Sequence, residues 1–309
     1  MKLAISIGDI NGIGLEIALR SHEEIKKLCE PIYCINQAML YWGAALLDID
    51  VPEDFTYKEC GDSFEIKVGK CTKEAGELSY VSFDTAVKLA KEEKVAGVVT
   101  LPINKEAWEK ASVPFVGHTD MLGKKAIMML GCEEMFTILY THHIALKYVS
   151  QKISVKRLKK MLIIIHKILH VKNIAVLGLN PHAGDNGLIG DEEHKIKKAI
   201  KKANKKIGSK IFKGPLVPDT AFTKASREKY THFVCMYHDQ GLIPLKALYF
   251  EESINVSLNA DIIRTSVDHG TAFDIAYKNQ KPSTKSYINA VKMAALLANL
   301  STDKELQSH

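Results

Sequence analysis

Apolar runs that end in polar, glycine-bearing turns recur along the chain, and no other feature limits its fold as strongly. LAISI precedes GDINGIG near the first residue, and INVSL precedes NADIIRTS near residue 260. Between them the same change occurs four more times, in VAGVVT–LPINK, FTILY–THH, IAVLG–LNPHAG and FVCMY–HDQG. Runs of this length and composition are typical of parallel strands that are buried on both faces.

Helical patterns lie between several of these runs. SFDTAVKLAKEEK carries an apolar stripe after Ser82, which is the predicted N-cap. SVKRLKKMLIIIHKIL predicts a helix after Ser154, and DEEHKIKKAIKKANKKIG predicts one that ends at Gly208. Alternating strands and helices predict an α/β fold with a mainly parallel sheet. In such folds ligands bind beyond the carboxyl ends of the strands, which is where the polar turns lie.

Length and composition indicate a globular protein of the cytoplasm. The 309 residues allow one large domain or two medium ones, and 46% of them are hydrophobic. MKLAISIGDI shows no secretory signal pattern, and the longest apolar run, MLIIIHKIL, is too short to cross a bilayer. The six cysteines form no CxxC pair, which favours reduced thiols. We therefore expect a cytoplasmic protein without a membrane partner.

The net charge of +6 does not indicate a nucleic-acid partner. Much of the positive charge lies in one stretch, HKIKKAIKKANKKIGSKIFK, over residues 194 to 213. Nucleic-acid surfaces place stacking aromatics among their basic residues, and this stretch contains only Phe212. We interpret it as the solvated face of a helix.

Three histidines follow predicted strands and indicate a catalytic metal site. His143 lies in YTHHIAL, His182 in LNPHAGDNG and His238 in MYHDQGLIPLK. Three neutral imidazoles with an open fourth position are typical of metal sites that carry out chemistry. His142 competes with His143, because neighbours on a strand point to opposite sides.

Cationic and amide side chains in consecutive turns predict a pocket for a phosphate or a carboxylate. Lys246, Asn255 and Arg264 follow one another in LIPLK, INVSL and IIRTS. An arginine binds two anionic oxygens at once and a lysine adds a point charge. The DHGTAFDIA segment predicts a loop that opens a helix and holds an adenosine or a phosphate. The glycine turn GDINGIG lets backbone approach a ligand, although it lacks the full dinucleotide pattern.

Seven segments together resemble the 4-phosphohydroxy-L-threonine dehydrogenase family (4-hydroxythreonine-4-phosphate dehydrogenase, PdxA). They are GDINGIGLE, PINKEA, GHTD, LNPHAGDNGLIGDEE, GPLVPDTAF, MYHDQGLIPLK and IRTSVDHGTAFDIA, and they occur in the family's order from residue 4 to about residue 280. GDINGIGLE departs from the family pattern, which has prolines and an alanine there. SLNADIIRTS replaces the Gly-Leu-Pro stretch that the family has before its arginine.

The resemblance implies an architecture. We expect a two-domain α/β/α fold like that of isocitrate and isopropylmalate dehydrogenases, with the active site in the interdomain cleft. Residues 1–126 and 264–309 would form a discontinuous first domain. Residues 127–263 would form a second domain that carries the metal ligands and the dimer contacts. Family members are homodimers whose active sites lie at the subunit interface and use residues of both subunits.

The resemblance also implies roles for single residues. The metal ligands are His143, His182 and His238. The substrate-binding residues are His118, Thr119, Lys246, Asn255 and Arg264. The candidate catalytic residues, which would accept the hydroxyl proton, are Asp219 and Asp239. The residues assigned to the cofactor are Gly12, Gly14, Lys105, Asp268, His269, Gly270, Thr271 and Asp274.

The implied reaction is the oxidation of 4-phosphohydroxy-L-threonine in pyridoxal 5′-phosphate biosynthesis. The acceptor would be NAD or NADP, helped by one divalent metal ion per subunit, with Zn²⁺, Mg²⁺, Co²⁺, Mn²⁺ and Ni²⁺ all left open. The product, 2-amino-3-oxo-4-phosphooxybutanoate, would lose carbon dioxide to give 3-amino-2-oxopropyl phosphate. One alternative is a paralogous dehydrogenase of threonate phosphate, erythronate phosphate or a dihydrodiol dicarboxylate. A second is an acyl or phosphoryl transferase, which would not bind a nicotinamide.

Overall fold

The chain forms two compact units in the computed structural model, which describes residues 1–122 and 125–307, without the side chains of residues 119, 120 and 303–307. Unit 1 contains residues 1–126 and 254–309, and unit 2 contains residues 127–253. The sequence placed the return to the first domain at residue 264. The structure assigns residues 254–263 to unit 1, because the strand that begins at Ile254 pairs with the strand that begins at Arg264.

The bounds of the regular elements are as follows. The strands are β1 (Lys2–Ser6), β2 (Glu30–Cys34), β3 (Tyr57–Lys58), β4 (Val98–Thr100), β5 (Ile127–Cys132), β6 (Met135–Leu139), β7 (Ile174–Leu177), β8 (Phe212–Leu216), β9 (His232–Cys235), β10 (Ile254–Leu258) and β11 (Arg264–Val267). The helices are α1 (Gly14–Ile25), α2 (Gln37–Leu47), α3 (Lys73–Lys91), α4 (Lys105–Lys110), α5 (His118–Met121), α6 (Val149–Lys152), α7 (Val155–Leu169), α8 (Glu192–Ile207), α9 (Lys224–Arg227), α10 (His238–Leu248) and α11 (Lys285–Gln307).

The strands of unit 1 follow the order β3-β2-β1-β4-β11-β10. β1 pairs in parallel with both β2 and β4, with Ala4 opposite Ile32 on one side and Val98 on the other. β10 departs from the prediction of parallel strands, since it runs antiparallel to β11 with Asn255 opposite Ser266. The connection from β10 to β11 is a short turn, and a parallel crossover needs about a dozen residues or more.

Unit 2 also combines parallel and antiparallel strands. Its order is β5-β6-β9-β7-β8, in which β6, β9, β7 and β8 are parallel. β5 and β6 pair antiparallel, because only Glu133 and Glu134 separate them and so short a link permits nothing but a hairpin. The α/β class is confirmed, and the sheet in each unit is mixed rather than wholly parallel.

Two local predictions were wrong. Ser82 is not an N-cap but lies in the middle of α3, whose N-cap is Thr72; the Thr72 hydroxyl accepts the Ala75 N–H at 3.2 Å. DHGTAFDIA opens no helix, because Ala272 and Tyr277 adopt left-handed backbone angles that an α-helix excludes. The predictions for α7 after Ser154 and for α8 before Gly208 are confirmed.

Each unit has its own apolar core. In unit 1 Trp108 is fully buried among residues that include Phe83 and Val98, and its indole N–H donates to the Ser79 hydroxyl at 2.7 Å. In unit 2 the core forms around Phe233 and Leu245. All six cysteines are free thiols. Among the residues described, no helix combines the length and the apolar character that crossing a membrane requires.

We predict that Ser82→Ala destabilises unit 1 by about 1–3 kcal/mol, because the change leaves buried backbone groups without partners. The Ser82 hydroxyl accepts the Ile7 N–H at 2.9 Å and donates to the Cys34 carbonyl at 2.6 Å, so it ties α3 to the ends of β1 and β2. Urea unfolding followed by tryptophan fluorescence measures the effect, since Trp42 and Trp108, the chain's 2 tryptophans, both lie in unit 1.

The matched control for this prediction is Ser63→Ala, because Ser63 is exposed. We expect the control to change the free energy of unfolding by less than about 0.5 kcal/mol. Equal effects of the two substitutions would contradict the bridging role of Ser82.

Candidate active site

The parallel pairing of β6 and β9 brings His143 and His238 together in unit 2. Leu139 and Cys235 are register partners at the carboxyl ends of these strands, so the segments that follow start side by side. The Thr141 hydroxyl donates to the Met236 carbonyl at 2.7 Å and joins the two segments directly. The ring centroids of His143 and His238 are 5.6 Å apart, and both rings line a cavity of about 280 Å³.

Asp239 orients the His238 ring. Its Oδ1 lies 2.7 Å from His238 Nδ1, which puts the imidazole proton on Nδ1 and leaves the lone pair of Nε2 available. Carboxylates behind metal-binding histidines commonly fix the tautomer and the ring orientation in this way. The side chain of Asp239 is 67% exposed. The Asp239–His238 pair therefore has the arrangement of a metal ligand with its supporting carboxylate.

His142 lies beside this pair, with its ring centroid 5.0 Å from that of His143. Its Nδ1 is buried and has no hydrogen-bond partner among the described residues. Burial, and then the neighbouring rings of His143 and His238, lower the pKa of His142, so it is neutral at neutral pH. The choice between His142 and His143 as a ligand thus stays as open as it was from sequence.

His182 lies elsewhere in unit 2. It lines a different cavity, of about 350 Å³, together with His194 and Lys197. In the part of the chain that the structure describes, no group of three or more His, Cys, Asp or Glu residues has the geometry to hold a metal ion. A single chain therefore brings two of the three predicted ligands together and leaves the third apart.

Glu193 holds the segment that carries His182. Its carboxylate accepts the N–H groups of Leu179 and Asn180, both at 2.8 Å, and the Asn180 side chain at 2.9 Å. The backbone turns left-handed at His182 and stays so through Asn186, and His182 is exposed. Glu193 was not predicted from the sequence. An acidic residue in the first turn of a helix after a glycine-rich loop was its only signal.

The other two site residues predicted in unit 2, Asp219 and Lys246, lie outside the cavity of His143 and His238. Asp219 is exposed in the turn after β8. Lys246 lies in the last turn of α10, half-buried, with its Nζ 5.2 Å from the centre of the Phe250 ring. Neither side chain lines the cavity of His143 and His238.

Unit 1 holds a buried arginine that is paired with a histidine. Arg264 begins β11 and is 3% exposed, and His118 begins α5 and is 8% exposed. Arg264 Nη2 donates to the Thr100 hydroxyl at 2.7 Å and lies 3.1 Å from His118 Nδ1. The edges of Phe83 and Trp108 pack around the His118 ring. The predicted substrate contacts His118 and Arg264 are therefore adjacent.

The electrostatics of this pair favour an anion. Burial lowers the pKa of Arg264 to about 9, so the guanidinium remains a cation at neutral pH. Burial, and then the charge of Arg264, hold the pKa of His118 well below its usual range, so the imidazole is neutral. Since His118 Nδ1 accepts from Arg264, its proton is on Nε2. The buried Arg264 Nε and His118 Nε2 then both offer N–H groups without an acceptor among the described residues.

Two further predicted substrate contacts, Asn255 and Thr119, belong to unit 1. Asn255 on β10 is partly buried, and its Oδ1 has no partner among the described residues. The side chain of Thr119 lies outside the described residues. The hydroxyls of Thr100 and Ser257 bind Arg264 and were not predicted from the sequence, because buried hydroxyls on strands carry no distinctive pattern.

The residues assigned to the cofactor lie in unit 1, and two of their segments are in contact. The Ile13 N–H donates to the Thr271 carbonyl at 3.1 Å. A Cβ at Gly12 would lie 2.6 Å from the same oxygen, so only glycine permits this approach. The DHGTAFDIA segment, residues 268–276, therefore rests against the turn that contains Gly12 and Gly14. Lys105 is exposed at the start of α4.

Comparison with known proteins shows the family to which this chain is similar. The family model described as pyridoxal phosphate biosynthetic protein PdxA matches residues 27–294. A 4-hydroxythreonine-4-phosphate dehydrogenase of Campylobacter fetus subsp. fetus is 57% identical, over 96% of this chain and 98% of that protein. One of Sulfurimonas denitrificans is 54% identical over the same shares of the two chains.

Solved structures agree on the fold. The crystal structure of 4-hydroxythreonine-4-phosphate dehydrogenase from Klebsiella pneumoniae superposes with a TM-score of 0.80 at 31% identity, covering 96% of this chain and 99% of that one. A terephthalate 1,2-cis-dihydrodiol dehydrogenase from Burkholderia xenovorans (22% identity, TM-score 0.68; 96% and 97% of the chains) and a phosphotransacetylase from Streptococcus pyogenes (12%, 0.51; 95% and 94%) share the fold alone. On these sequence matches, the chain belongs to the PdxA family, the 4-hydroxythreonine-4-phosphate dehydrogenases of pyridoxal phosphate biosynthesis.

Proposed function

We propose that the protein oxidises 4-phosphohydroxy-L-threonine with NAD or NADP and a divalent metal, and that the residues described above take part in the reaction. Besides family membership, one observation supports this best. The buried Arg264–His118 pair presents a fixed cation and two unpaired N–H donors, and an anionic partner offsets the cost of burying such a charge. The phosphorylated, carboxylated substrate supplies that partner, and Asn255 and Lys246 are the proposed further contacts.

His143 and His238 fit a divalent metal. Two adjacent imidazoles line one cavity, and Asp239 fixes the proton of one of them on Nδ1. When bound there, the metal supplies Lewis acidity that lowers the pKa of the reacting hydroxyl. Asp239 is the proposed positioning partner of His238. Asp219 keeps the proposed role of proton acceptor.

The contacting segments of Gly12 and Thr271 are the proposed cofactor-binding segments, because they follow the ends of β1 and β11, and α/β folds bind ligands beyond the carboxyl ends of their strands. The cofactor supplies the hydride acceptor. The substrate carbon gives up its hydride and the hydroxyl its proton, which leaves a ketone β to the carboxylate. That β-keto acid then loses carbon dioxide to give 3-amino-2-oxopropyl phosphate. The relation to isocitrate and isopropylmalate dehydrogenases stays a prediction.

We also propose that the active enzyme is a homodimer in which His182 of a second copy completes the metal site. In the part of the chain that the structure describes, His143 and His238 line one cavity, whereas His182 lines another and is exposed. Several large apolar side chains of unit 2 are also more than half exposed, and Leu188, near His182 in the sequence, is 84% exposed. Exposed apolar groups of this size are typical of surfaces that another chain covers.

The alternatives are less well supported. The paralogous dehydrogenases share the metal and cofactor features, yet the dihydrodiol dehydrogenase in the comparison is only 22% identical, against 57% for the Campylobacter enzyme. The transferase alternative rests on a likeness of 12% identity, which shows the fold alone. It also leaves the pair of His143 and His238 without a role.

We predict that turnover of 4-phosphohydroxy-L-threonine, followed by NAD(P)H absorbance, stops after chelator treatment and returns with a divalent metal. His238→Ala should lose turnover with metal present, and Asp239→Asn should lower it by about tenfold to a hundredfold. His170→Asn, which changes an exposed histidine at the end of α7, is the control and should behave as wild type. Chelator-resistant turnover would contradict the metal site, and turnover with a different phosphorylated acid alone would favour a paralogous substrate.

We predict that Arg264→Lys raises the KM for the substrate by about tenfold to a hundredfold, since a hydrogen bond with a charged partner contributes about 1.5–3 kcal/mol. Lysine keeps the charge but loses the planar fork that binds Thr100 and His118 as well as an anion. Steady-state kinetics measures it, with Arg227→Lys in unit 2 as the control. An unchanged KM would remove Arg264 from the substrate site.

We predict that hybrid dimers of His182→Ala and His238→Ala subunits regain turnover, although each variant alone is inactive. If a second copy supplies His182, each hybrid contains one complete set of His143, His238 and His182. The matched control mixes His143→Ala with His238→Ala subunits, which gives no complete set. Activity is measured after the two variants have been refolded together. If the first mixture recovers no activity, either all three ligands lie in one chain or His182 is not part of the site.

A further inference from the structure

A carboxyl group with no solvent exposure lies in the turn after β1. Asp9 is 0% exposed, and its Oδ1 accepts the Asn11 N–H at 3.0 Å. Its Oδ2 has no partner among the described residues, and its own N–H donates to the Pro102 carbonyl at 2.8 Å. A buried carboxylate with one hydrogen bond costs stability. Its presence needs an explanation beyond packing.

The turn that Asp9 holds is tied to the loop before α3. Asn11 Oδ1 accepts the Lys67 N–H at 3.0 Å, and its Nδ2 donates to the Lys70 carbonyl at 2.8 Å. The Asn11 carbonyl accepts the Gly69 N–H at 2.8 Å. Fixing the Asn11 backbone through Asp9 therefore fixes residues 67–70.

The same turn also holds the segment that follows β11. The Ile13 N–H donates to the Thr271 carbonyl at 3.1 Å, and the Tyr277 hydroxyl donates to the Ile10 carbonyl at 2.8 Å. On the far side, a Cβ at Gly69 would lie 2.7 Å from the Phe273 carbonyl, so the two loops also touch each other. Three segments, residues 9–13, 67–70 and 271–277, thus form one hydrogen-bonded junction around Asp9.

We propose that Asp9 is a positioning residue for the nicotinamide cofactor: its carboxylate sets the shape of the 9–13 turn, and that turn holds the 271–277 segment in its cofactor-binding position. The inference rests on the proposed cofactor role of residues 268–274. Asp9 is fully buried and lines no surface that a ligand could contact directly. It acts through the Asn11 N–H and the Ile13–Thr271 hydrogen bond.

The Asp9→Asn substitution removes the charge of Asp9 and keeps the shape of its side chain, so it tests the charge by itself. A carboxylate binds an N–H group more strongly than a neutral amide does. Two titratable side chains interact electrostatically with Asp9: Cys71, beside residues 67–70, and Tyr277, in the segment after β11. Glu16 interacts with the same tyrosine and is paired with Arg20. None of these groups is a cation that would neutralise the Asp9 carboxylate. Burial raises the pKa of Asp9 to about 6, so it is ionised at neutral pH.

The sign of the stability effect follows from the pKa. The folded-state pKa of Asp9 lies above its ordinary value of 3.8, so the folded protein holds this proton more tightly than the unfolded chain does. The contribution of Asp9 to stability is therefore greatest at acid pH and is lost as the pH rises through about 6. Asp9→Asn removes the buried charge, and at neutral pH it should raise the melting temperature.

The test is Asp9→Asn, with the Kd for NADH and for NADPH measured by fluorescence titration. We expect the Kd to rise about tenfold for the cofactor that the wild type binds, because one charge-assisted hydrogen bond is lost. We expect the melting temperature at neutral pH to rise and the KM for the phosphorylated substrate to stay within about twofold. The wild-type Kd should also rise as the pH falls through about 6, whereas that of Asp9→Asn should be flat. A purely structural role would lower the melting temperature and weaken both ligands together.

The matched control is Asp84→Asn, which makes the same change at an aspartate of α3 in unit 1 that is paired with Lys88. Its Kd for the cofactor should equal that of the wild type. An unchanged Kd in Asp9→Asn, or equal losses in both variants, would overturn the role of Asp9 while leaving the proposed function intact. A wild-type protein that binds neither NADH nor NADPH would overturn the proposed function, and the role of Asp9 with it.

Discussion

Parallel register between neighbouring strands is the constraint on which the candidate site depends. β6 and β9 end side by side, and for that reason His143 and His238, which are distant in sequence, come together. In unit 1 the parallel pairing of β4 with β11 places Thr100 within reach of Arg264. Backbone hydrogen bonds thus do most of the positioning, and side-chain bonds such as Thr141 to the Met236 carbonyl complete it.

Buried polar groups with unpaired atoms recur in unit 1. Arg264, His118 and Asp9 are all buried in unit 1, and each retains an unpaired atom among the described residues. Such groups lower stability, so they are expected where binding needs a group held ready in advance. For Arg264 and His118 the unpaired atoms are N–H donors, which suits an anion. For Asp9 the proposed role is to shape the turn of residues 9–13.

Sequence reasoning succeeded where the determinant is local and failed where it is not. α8 was predicted with its end at Gly208, since acids, lysines and a glycine follow one another along the chain. The N-cap at Ser82 was wrong, because the helical stripe extends upstream to Thr72 and Ser82 is buried against β1 and β2. The pairing of β5 with β6 was missed although a two-residue link was visible. Thr100 and Ser257, the hydroxyl partners of Arg264, had no sequence signal.

The sequence by itself determined the α/β class, the strands that end in chemistry-bearing turns, and the family, because apolar periodicity and contiguous motifs are local properties. The tertiary structure decided which of those residues meet. It joined His143 to His238 and Arg264 to His118, set His182 apart, and buried Asp9 at a junction of three loops. Burial and proximity arise only when distant segments pack, and they alone fix which groups lose their water, change their pKa and need a partner.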